Sequence, residues 1–588
     1  MKTIYKSTLL IALGCFALAV NAQKDTTYNR QVMLERDYNP TLQDASKINV
    51  TPSVYEPVVI KRDAKYVDKS PQISLNSNLL GAAESGDINT GVDFDKKRGY
   101  LSIGAGTKSN LEGMAGVRIL NSSADQLDLF ANHSSTSGNV DYLDKGYWLK
   151  KAKAKYSDTK VDLKYAHTFQ PSILSIDASY FNTSYNYYGN SFIAEDPNID
   201  YPFDLDSRQN VDVISFGAGL RSSQSNTGLL NYMFSANYKN FKNKYGPTVD
   251  DKGIKGGQFD LAVDFNTAFG ADNVIGIKGS LMNQSVSDPK FMTAEDAFHS
   301  YTNITGSPYM NFEGDSWNAT LGVNVHALFD VKTKFAVSPN LAFAYNTDET
   351  SRLYANVGGG VNNNTILDIL QENRYANMMG RIQYSKTYCD ATIGFKSGVI
   401  TGFEFDIFGG FKYTKDDHLY AMTSVVDIFS WGNLSAPIYA DLSTGSVGGQ
   451  VKTNLIPYTD LSAKLTGYFY GIKYTDAPVS TKEAWGLPTF TAELNADIKV
   501  IPELTFSVNY QYAGGRKALS YVDNGVTTSV NTTNMKDINE LNVRAEYQIT
   551  DWVAVHGKVN NLLFQKYEKH YGYAMQGFNF LAGLSFKL

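Results

Sequence analysis

The C-terminal stretch from about Asp537 to Leu588 alternates apolar and polar residues with period two in three successive segments. Successive side chains of a β-strand point to opposite faces, so each segment predicts a strand with one apolar and one polar face. The polar faces carry charges of both signs, which is typical of a strand with lipid outside and water inside. The apolar faces comprise Leu541, Val543, Ala545, Tyr547 and Ile549, then Val553, Val555 and Val559, then Phe578, Phe580, Ala582, Leu584, Phe586 and Leu588.

The same alternation recurs along most of the chain, as in residues 258–266, 490–500 and 504–512. We count on the order of 22 such segments. After the N-terminus there is no apolar run of the roughly 20 residues that a spanning helix requires. The mean hydropathy of -0.28 is compatible with a membrane barrel, because only every second residue faces lipid. The sequence therefore predicts an all-β protein, a transmembrane antiparallel β-barrel of roughly 16–22 strands, over residues 72–588.

Residues 1–22 have the pattern of a secretory signal peptide. Lys2 and Lys6 form the charged start, residues 8–20 form the apolar core, and Val20-Asn21-Ala22 forms the small-residue cleavage site. Cys15 leaves lipidation open as an alternative, although the apolar run continues past it. We therefore expect export, and insertion in the outer membrane of a Gram-negative cell.

Residues 23–71 differ from the rest of the chain in their spacing of prolines. Pro40, Pro52, Pro57 and Pro71 favour an extended segment that is too short for an ordinary domain. We predict a periplasmic arm that occludes the barrel or docks a partner. A disordered leader is the alternative.

Short and long connections alternate along the predicted barrel. Outer-membrane barrels have short periplasmic turns and long outer loops, which places Leu588 in the periplasm. Before about residue 350 the alternation is undecided, because residues 330–333 and 347–350 are both short. A small helix is expected within residues 365–376. The short turns are predicted at 415–417, 457–460, 502–503 and 550–551, and the long loops at 185–208, 284–316, 361–375, 428–441, 476–488 and 515–537.

The run from Asn560 to Glu568, followed by Gly572-Tyr573 and by residues 577–588, resembles the last two strands of TonB-dependent receptors. Trp485-Gly486-Leu487-Pro488 and Gly514-Gly515-Arg516 lie where such barrels place strand-end motifs. The resemblance implies an outer-membrane receptor barrel. Residues 23–71 have no room for the plug domain of that family, and Leu588 stands where members tend to end in Phe.

Few residues form a pattern that predicts chemistry. The seven histidines have no metal-ligand spacing, and His556 is expected to line the lumen. Gly104 to Ser109 lacks the spacing of a phosphate loop, so its glycines are better explained by crowding on a barrel strand. The acidic loop 195–206 could hold calcium, or it could be an ordinary exposed loop. Cys389 has no partner once Cys15 is removed, and is interpreted as a lone small residue on a strand.

These observations predict that the protein is not an enzyme, with no catalytic, cofactor-binding or metal-binding residues. A barrel enzyme such as a lipase or protease stays an alternative. The predicted function is transport or porin-like diffusion of solutes through the lumen. A structural or accessory subunit of an outer-membrane complex is the alternative. The expected partners are outer-membrane lipid, the barrel-assembly machinery, and a periplasmic or outer-membrane protein. The net charge of -6 has no evident basic cluster behind it, which argues against nucleic acid.

Overall fold

A computed structural model describes residues 98–588 except for 144–149, 190–207, 224–229, 247–252, 271, 288–299, 331, 378–381, 425–433, 476–481 and 524–527. The predicted signal peptide at 1–22, the predicted arm at 23–71 and the acidic loop 195–206 lie outside the described residues. None of the described helices is long and apolar enough to cross a membrane.

The described chain is built almost entirely of β-strands. One α-helix, α1, spans Ile366–Glu372, and a short 3-10 turn spans Thr107–Ser109. The strands are β1 (Gly99–Gly106), β2 (Leu111–Asn121), β3 (Asp125–Asp141), β4 (Lys151–Thr168), β5 (Ser172–Asn186), β6 (Arg208–Ser222), β7 (Asn231–Asn243), β8 (Lys255–Phe269), β9 (Asn273–Val286), β10 (Tyr301–Glu313), β11 (Trp317–Phe329), β12 (Lys334–Asn346), β13 (Ser351–Asn362), β14 (Ser385–Ile400), β15 (Phe403–Ser424), β16 (Ser435–Thr453), β17 (Thr459–Tyr474), β18 (Phe490–Ile501), β19 (Leu504–Gly514), β20 (Lys517–Asp523), β21 (Thr528–Asn534), β22 (Ile538–Thr550), β23 (Val553–Asn560) and β24 (Asn579–Lys587).

Twenty-two of these strands close into one antiparallel barrel. Each pairs with the next in the chain, β19 pairs with β22, and β24 pairs with β1 to complete the ring. The remaining two, β20 and β21, form a hairpin outside the ring, and β20 also pairs in parallel with β15. The predicted all-β barrel is confirmed, at the upper end of the predicted strand number. Closure leaves no strand of the ring with an open edge, which a lipid environment requires.

Most short connections lie at one end of the barrel, and the long connections lie at the other. Gly99 and Leu588 lie together at one end and exchange backbone hydrogen bonds of 3.0 and 2.7 Å. That end also carries brief turns such as Pro502–Glu503, and we call it the short-turn end. The opposite, long-loop end carries residues 363–384 and 561–578. The brief connection at 330–333 also lies at the long-loop end, whereas 347–350 lies at the short-turn end. This decides which of the two short connections lies at which end, a question that the sequence left open.

Several predicted turn positions are wrong. Lys415–Asp417 is a register shift inside β15 and not a turn, because Lys415 stays paired with Lys386 of β14 and Asp417 pairs again with Ala440 of β16. The predicted loop 284–316 contains β10, and 428–441 ends inside β16. The helix expected within 365–376 is confirmed as α1, although it is shorter.

The alternating faces follow the sequence pattern through the middle of the barrel. Tyr547, Ile549, Phe580 and Leu584 point outward and are 44%, 55%, 46% and 41% exposed. The exposed apolar band also includes Ile277, Phe335, Ile393 and Phe469 among many others. The inner face carries charged pairs, for example Arg118 with Asp128, Lys558 with Glu112, and Arg544 with Glu546. A band of this kind is the surface that a hydrocarbon layer covers.

Val543 lies on this outer face, and Val543→Arg should destabilise the barrel by about 2–4 kcal/mol if the residue is near the membrane midplane. Unfolding by urea in lipid vesicles, followed by tryptophan fluorescence, measures this. Asn542 faces the lumen but is fully buried, and its side-chain oxygen accepts a 2.9 Å bond from the backbone N–H of Asn561, so an arginine there would not be tolerated. Ser280→Arg is the matched control, because Ser280 is an exposed position on the inner face of β9. An equal loss of stability in the Val543→Arg and Ser280→Arg variants would show that the inner and outer faces are wrongly assigned.

Candidate functional site at the mouth of the barrel

Residues 363–384 connect β13 to β14 and include α1. The helix starts at a capping box: the Thr365 hydroxyl accepts from the Asp368 N–H, and the Asp368 carboxylate accepts from the Thr365 N–H at 2.9 Å. Its buried face is Ile366, Ile369 and Leu370, at the i, i+3, i+4 spacing of an amphipathic helix. This local pattern gives the connection a defined shape instead of a loose coil.

This connection crosses the lumen. The Arg374 guanidinium lies 2.9 Å from the Asp158 carboxylate, which projects inward from β4. It also lies over the rings of Tyr156 and Tyr185, at 5.1 and 5.6 Å from their centroids. Around the ring of 22 strands, β4 stands nine strands from β13, and eleven would be diametrically opposite. A segment anchored at β13 and β14 therefore reaches the far wall.

The same connection is held on its own side of the barrel. The Gln284 side chain of β9 accepts a 2.9 Å bond from the Ile366 N–H, and Glu372 lies 2.6 Å from the His418 ring of β15. The Ser435 N–H donates to the Tyr375 carbonyl at 3.0 Å. Bonds at both ends of the crossing make it a structural strut across the mouth.

Residues 561–578, between β23 and β24, meet the first connection beside the end of β5. Tyr573 stacks on Tyr375 with ring centroids 3.7 Å apart, and Tyr188 contacts both rings edge-on. The Tyr188 hydroxyl donates to the Ala574 carbonyl at 3.0 Å. We call Tyr188, Tyr375 and Tyr573 the tyrosine cluster, and the described parts of 363–384 (363–377 and 382–384) together with 561–578 the cap. Each ring of the cluster is at most 4% exposed, so the cluster is a dry core.

The barrel wall changes character where the cap packs against it. Ala152 and Ala154 of β4, Val211 and Val213 of β6, and Phe241 of β7 point inward, and each is at most 9% exposed. Nearer the short-turn end the inward positions are polar. An interface between cap and wall requires this change from polar to apolar residues. Burial of apolar surface there stabilises the docked cap by about 25 cal/mol per Å².

The strand-end motifs found in the sequence support the cap. Gly515 has φ +72, a backbone conformation that glycine adopts without strain. The next residue, Arg516, is 2% exposed and donates to the backbone carbonyls of Lys536, Glu568 and Lys569 at 2.8 to 3.1 Å. Trp485 is 1% exposed and packs beside Leu519 of the β20–β21 hairpin. These residues stabilise the 561–578 connection and the neighbouring rim.

Two basic residues of the cap lie in surroundings that disfavour their charged forms. Burial, together with the charges of Arg374 and Arg516, lowers the pKa of Lys569 to about 7. Burial and the neighbouring Lys569 and Arg516 charges lower the pKa of His570 well below its ordinary value. Glu372 and Glu540 are the acidic groups nearby, and the Tyr420 ring stands 6.1 Å from the His570 ring. These two side chains therefore hold fewer protons in the docked cap than in a released cap, whereas the pKa of His418, lowered by burial but raised more by its bond to Glu372, is shifted in the opposite direction.

Docking of the cap should weaken as the pH falls. Lys569 binds its proton below about pH 10.5 when the cap is released, but only near pH 7 when the cap is docked. His570 binds its proton below about pH 6.5 in the released cap and at a much lower pH in the docked cap. The equilibrium constant for release of the cap should rise as the pH falls from about 9 to 7, and again as it falls below about 6.5. Each rise should be no more than about tenfold per pH unit. Hydrogen exchange of residues 566–576, corrected for intrinsic rates, measures it. His570→Gln should remove the acidic limb alone, and an unchanged acidic limb would contradict the role of His570.

Residues with other predicted roles lie away from the cap. His556 lines the lumen as predicted, with its Nδ1 3.1 Å from the Ser585 hydroxyl. A side chain at Gly104 or Gly106 would clash with Leu581 or with the Phe580 carbonyl, which confirms that β1 is crowded there. Cys389 is a free thiol on β14. In the described ranges, no group of three or more His, Cys, Asp or Glu side chains could hold a metal ion.

Sequence reasoning assigned no role to Arg374 or Tyr375, and it named Tyr573 only as part of the resemblance in the last two strands. The signals that were present are the Thr365-x-x-Asp368 capping box and the clustered tyrosines at 185–188 and 567–573. Neither signal says which wall of a barrel the segment will contact.

Comparison with solved structures finds the same barrel fold in receptors of the outer membrane. The siderophore receptor PirA from Acinetobacter baumannii is 12% identical, with a TM-score of 0.64 over 84% of this chain and 80% of that one. The pyoverdine receptor FpvA from Pseudomonas aeruginosa is 14% identical, with a TM-score of 0.58 over 84% and 78%. The ferric enterobactin receptor of Pseudomonas aeruginosa is 10% identical, with a TM-score of 0.61 over 84% and 80%. No family model and no curated protein sequence matches the chain.

The fold is therefore that of a TonB-dependent receptor barrel, which confirms the resemblance seen in the last two strands. The likeness at this level of identity concerns the architecture alone.

Proposed function

We propose that this protein carries a solute across the outer membrane through a lumen whose long-loop end is closed by its own cap. Passage then requires the cap to move. The observation that supports the proposal is the crossing of the lumen by residues 363–384, through the Arg374–Asp158 pair on the far wall. An inner wall with charges of both signs below the cap suits a hydrophilic solute.

The exposed apolar band supports placement in a membrane, and the barrel architecture supports the outer one. Short turns of such barrels face the periplasm, which supports the proposal that Gly99 and Leu588 lie on that side. We assign residues 23–71 to contact with a periplasmic partner, and the last strand to recognition by the barrel-assembly machinery. The cap then faces the cell exterior.

The alternative function is that of a structural or accessory subunit with an occluded lumen. The observation that favours it is the dry packing of the tyrosine cluster, which resembles a permanent core more than a mobile loop. The two functions differ in whether the cap is ever released.

Permeation into proteoliposomes distinguishes the two functions. Arg374→Ala leaves the Asp158 carboxylate facing the lumen without its ion pair, and loss of one partner of a buried pair typically costs about 3–5 kcal/mol. We expect the wild type to pass small sugars slowly and Arg374→Ala to pass them several-fold faster. Arg352→Ala, which removes an exposed arginine at the short-turn end, is the matched control. If neither the wild type nor Arg374→Ala admits solute, transport is contradicted and the accessory function is favoured.

A further inference from the structure

A histidine of β3 forms hydrogen bonds with two hydroxyl groups. Nε2 of His133 lies 3.1 Å from the hydroxyl of Ser135, two residues further along the same strand. Nδ1 of the same ring lies 2.8 Å from the hydroxyl of Thr159, which pairs with His133 between β3 and β4. We call Ser135, His133 and Thr159 the serine trio. A hydroxyl, an imidazole and a group that orients the imidazole, joined in this order, form the arrangement that activates a serine nucleophile.

Strand pairing shows that the serine trio lies on the outer face of the barrel. Gly113 of β2 is opposite both His133 and Ile103 of β1. Ile103, 48% exposed, is in turn opposite Leu584 of the apolar band. The threonine of the trio lies on the same face of β4 as Leu163, which is 41% exposed. The trio is therefore outside the lumen and off the path of a transported solute.

The serine trio stands at the border of the apolar band on the side of the long-loop end. Ala131 is the outward residue of β3 before His133, and Leu111 of β2, 47% exposed, is directly opposite Ser135. A side chain at Gly113 would meet nothing within 4 Å, so there is open space beside His133. The ester groups of a membrane lipid lie at this border, between the hydrocarbon core and the headgroups. The outward residues of β3 beyond His133 are the polar Ser135, Ser137, Asn139 and Asp141.

We propose that the serine trio hydrolyses acyl esters of glycerophospholipids in the outer leaflet. The acyl chains lie along the apolar band, and the ester carbonyl lies in the open space at Gly113, beside Ser135. The proposal rests on the membrane placement given above, but not on transport. Because Thr159 joins the other two residues only through strand pairing, no sequence motif indicated a catalytic serine.

The reaction is an ordinary two-step ester hydrolysis. Oγ of Ser135 attacks the carbonyl carbon while its proton passes to Nε2 of His133, whose ring Thr159 holds through Nδ1. Ser157, opposite Ser135 on β4, is placed to donate to the oxyanion. The bond from the carbonyl carbon to the glycerol oxygen then breaks, and that oxygen takes the proton from His133 to give the lysophospholipid. Water attacks the acyl-serine and gives a proton to His133, and the fatty acid leaves as this proton returns to Ser135.

Release of fatty acid from phosphatidylethanolamine in mixed micelles, by the purified full-length protein, tests the proposal. Ser135→Ala should lower the release to the uncatalysed background, and His133→Ala should lower kcat by about 10²–10⁴-fold. Ser137→Ala is the matched control, because it removes a hydroxyl from the next outward position of the same strand, and it should keep the wild-type kcat. Each variant should show the heat-dependent gel mobility of a folded barrel.

Thr159 is a positioning residue, and its test separates orientation of the imidazole from packing. Thr159→Val keeps the shape of the side chain without its hydroxyl, and should lower kcat several-fold at unchanged KM. Thr159→Ser restores the hydroxyl and should restore kcat. Equal kcat in the Thr159→Val variant and the wild type would contradict this role.

Covalent labelling identifies the nucleophile in the wild type without any substitution. A fluorophosphonate probe should label Ser135, as found by mass spectrometry of peptides, and His133→Ala should prevent the labelling. The proposal would be overturned if the wild type released no more fatty acid than Ser135→Ala, if Ser135 carried no label, or if Ser137→Ala lost as much activity as Ser135→Ala.

Two further measurements separate the substrate and the transport function from this result. A soluble butyrate ester below its critical micelle concentration should be hydrolysed more slowly than micellar lipid, and faster hydrolysis would overturn the assignment to a lipid. Permeation of sugars through Ser135→Ala should stay at the wild-type rate. Failure of this proposal is thereby distinguished from failure of the transport proposal.

Discussion

Replacement of residues 363–384 by a short glycine-serine linker is expected to convert the protein into an open pore with large current steps in planar bilayers. Asn362 pairs with Ser385, so a hairpin linker can join β13 to β14 without disturbing the ring. The replacement removes α1, Arg374 and Tyr375, and with them the crossing of the lumen. A barrel of 22 strands encloses a lumen wide enough to conduct unless something fills it.

The control for this experiment is a linker of equal composition in place of residues 347–350, a turn at the short-turn end. That variant should retain the small currents of the wild type. Wild-type currents from the 363–384 replacement would show that the cap does not close the lumen.

Deletion of residues 578–588 should leave the protein out of the membrane. The deletion removes β24, which pairs with β23 along residues 553–560 and with β1 along 100–106. Without it both neighbours present unpaired edges, and a sheet with open edges is not viable in lipid. Immunoblots of membrane fractions should show the truncated chain in the periplasm or degraded.

Deletion of residues 518–533 removes a similar length of β-structure from the β20–β21 hairpin, which lies outside the ring. That variant should reach the membrane at near-normal levels. Normal membrane levels of the 578–588 deletion would contradict the closing role of β24.

The period-two pattern predicted the barrel well because lipid and water impose opposite requirements on alternate residues. That constraint acts on each strand separately, so Leu541 to Ile549 could be assigned to one face without knowledge of any partner strand. It also explains the errors. Lys415 to Asp417 is polar enough for a turn, but it lies beyond the apolar band, where both faces of a strand meet water or the cap.

The cap could not be predicted in the same way. Its contacts join residues far apart in the chain, such as Arg374 with Asp158 and Tyr375 with Tyr573. Nothing local distinguishes Ala152 and Ala154, buried under the cap, from small residues elsewhere on a strand. The alternation of lysine and alanine from 151 to 155 was visible in the sequence, but its direction follows only from the register with Leu163.

Photo-crosslinking in intact membranes tests the central claim, that the cap crosses the lumen, most directly. Benzoylphenylalanine in place of Tyr375 keeps an aromatic ring at the position that stacks on Tyr573 and contacts Tyr188. Mass spectrometry should find crosslinks to the peptide that contains Tyr188, which directly follows β5 on the far wall, as well as to the peptide that contains Tyr573 of the second cap segment. The same label in place of Phe335, 73% exposed on the outer face, should give no crosslink to those peptides. Crosslinks from position 375 only to residues of its own connection, or to none, would contradict the account.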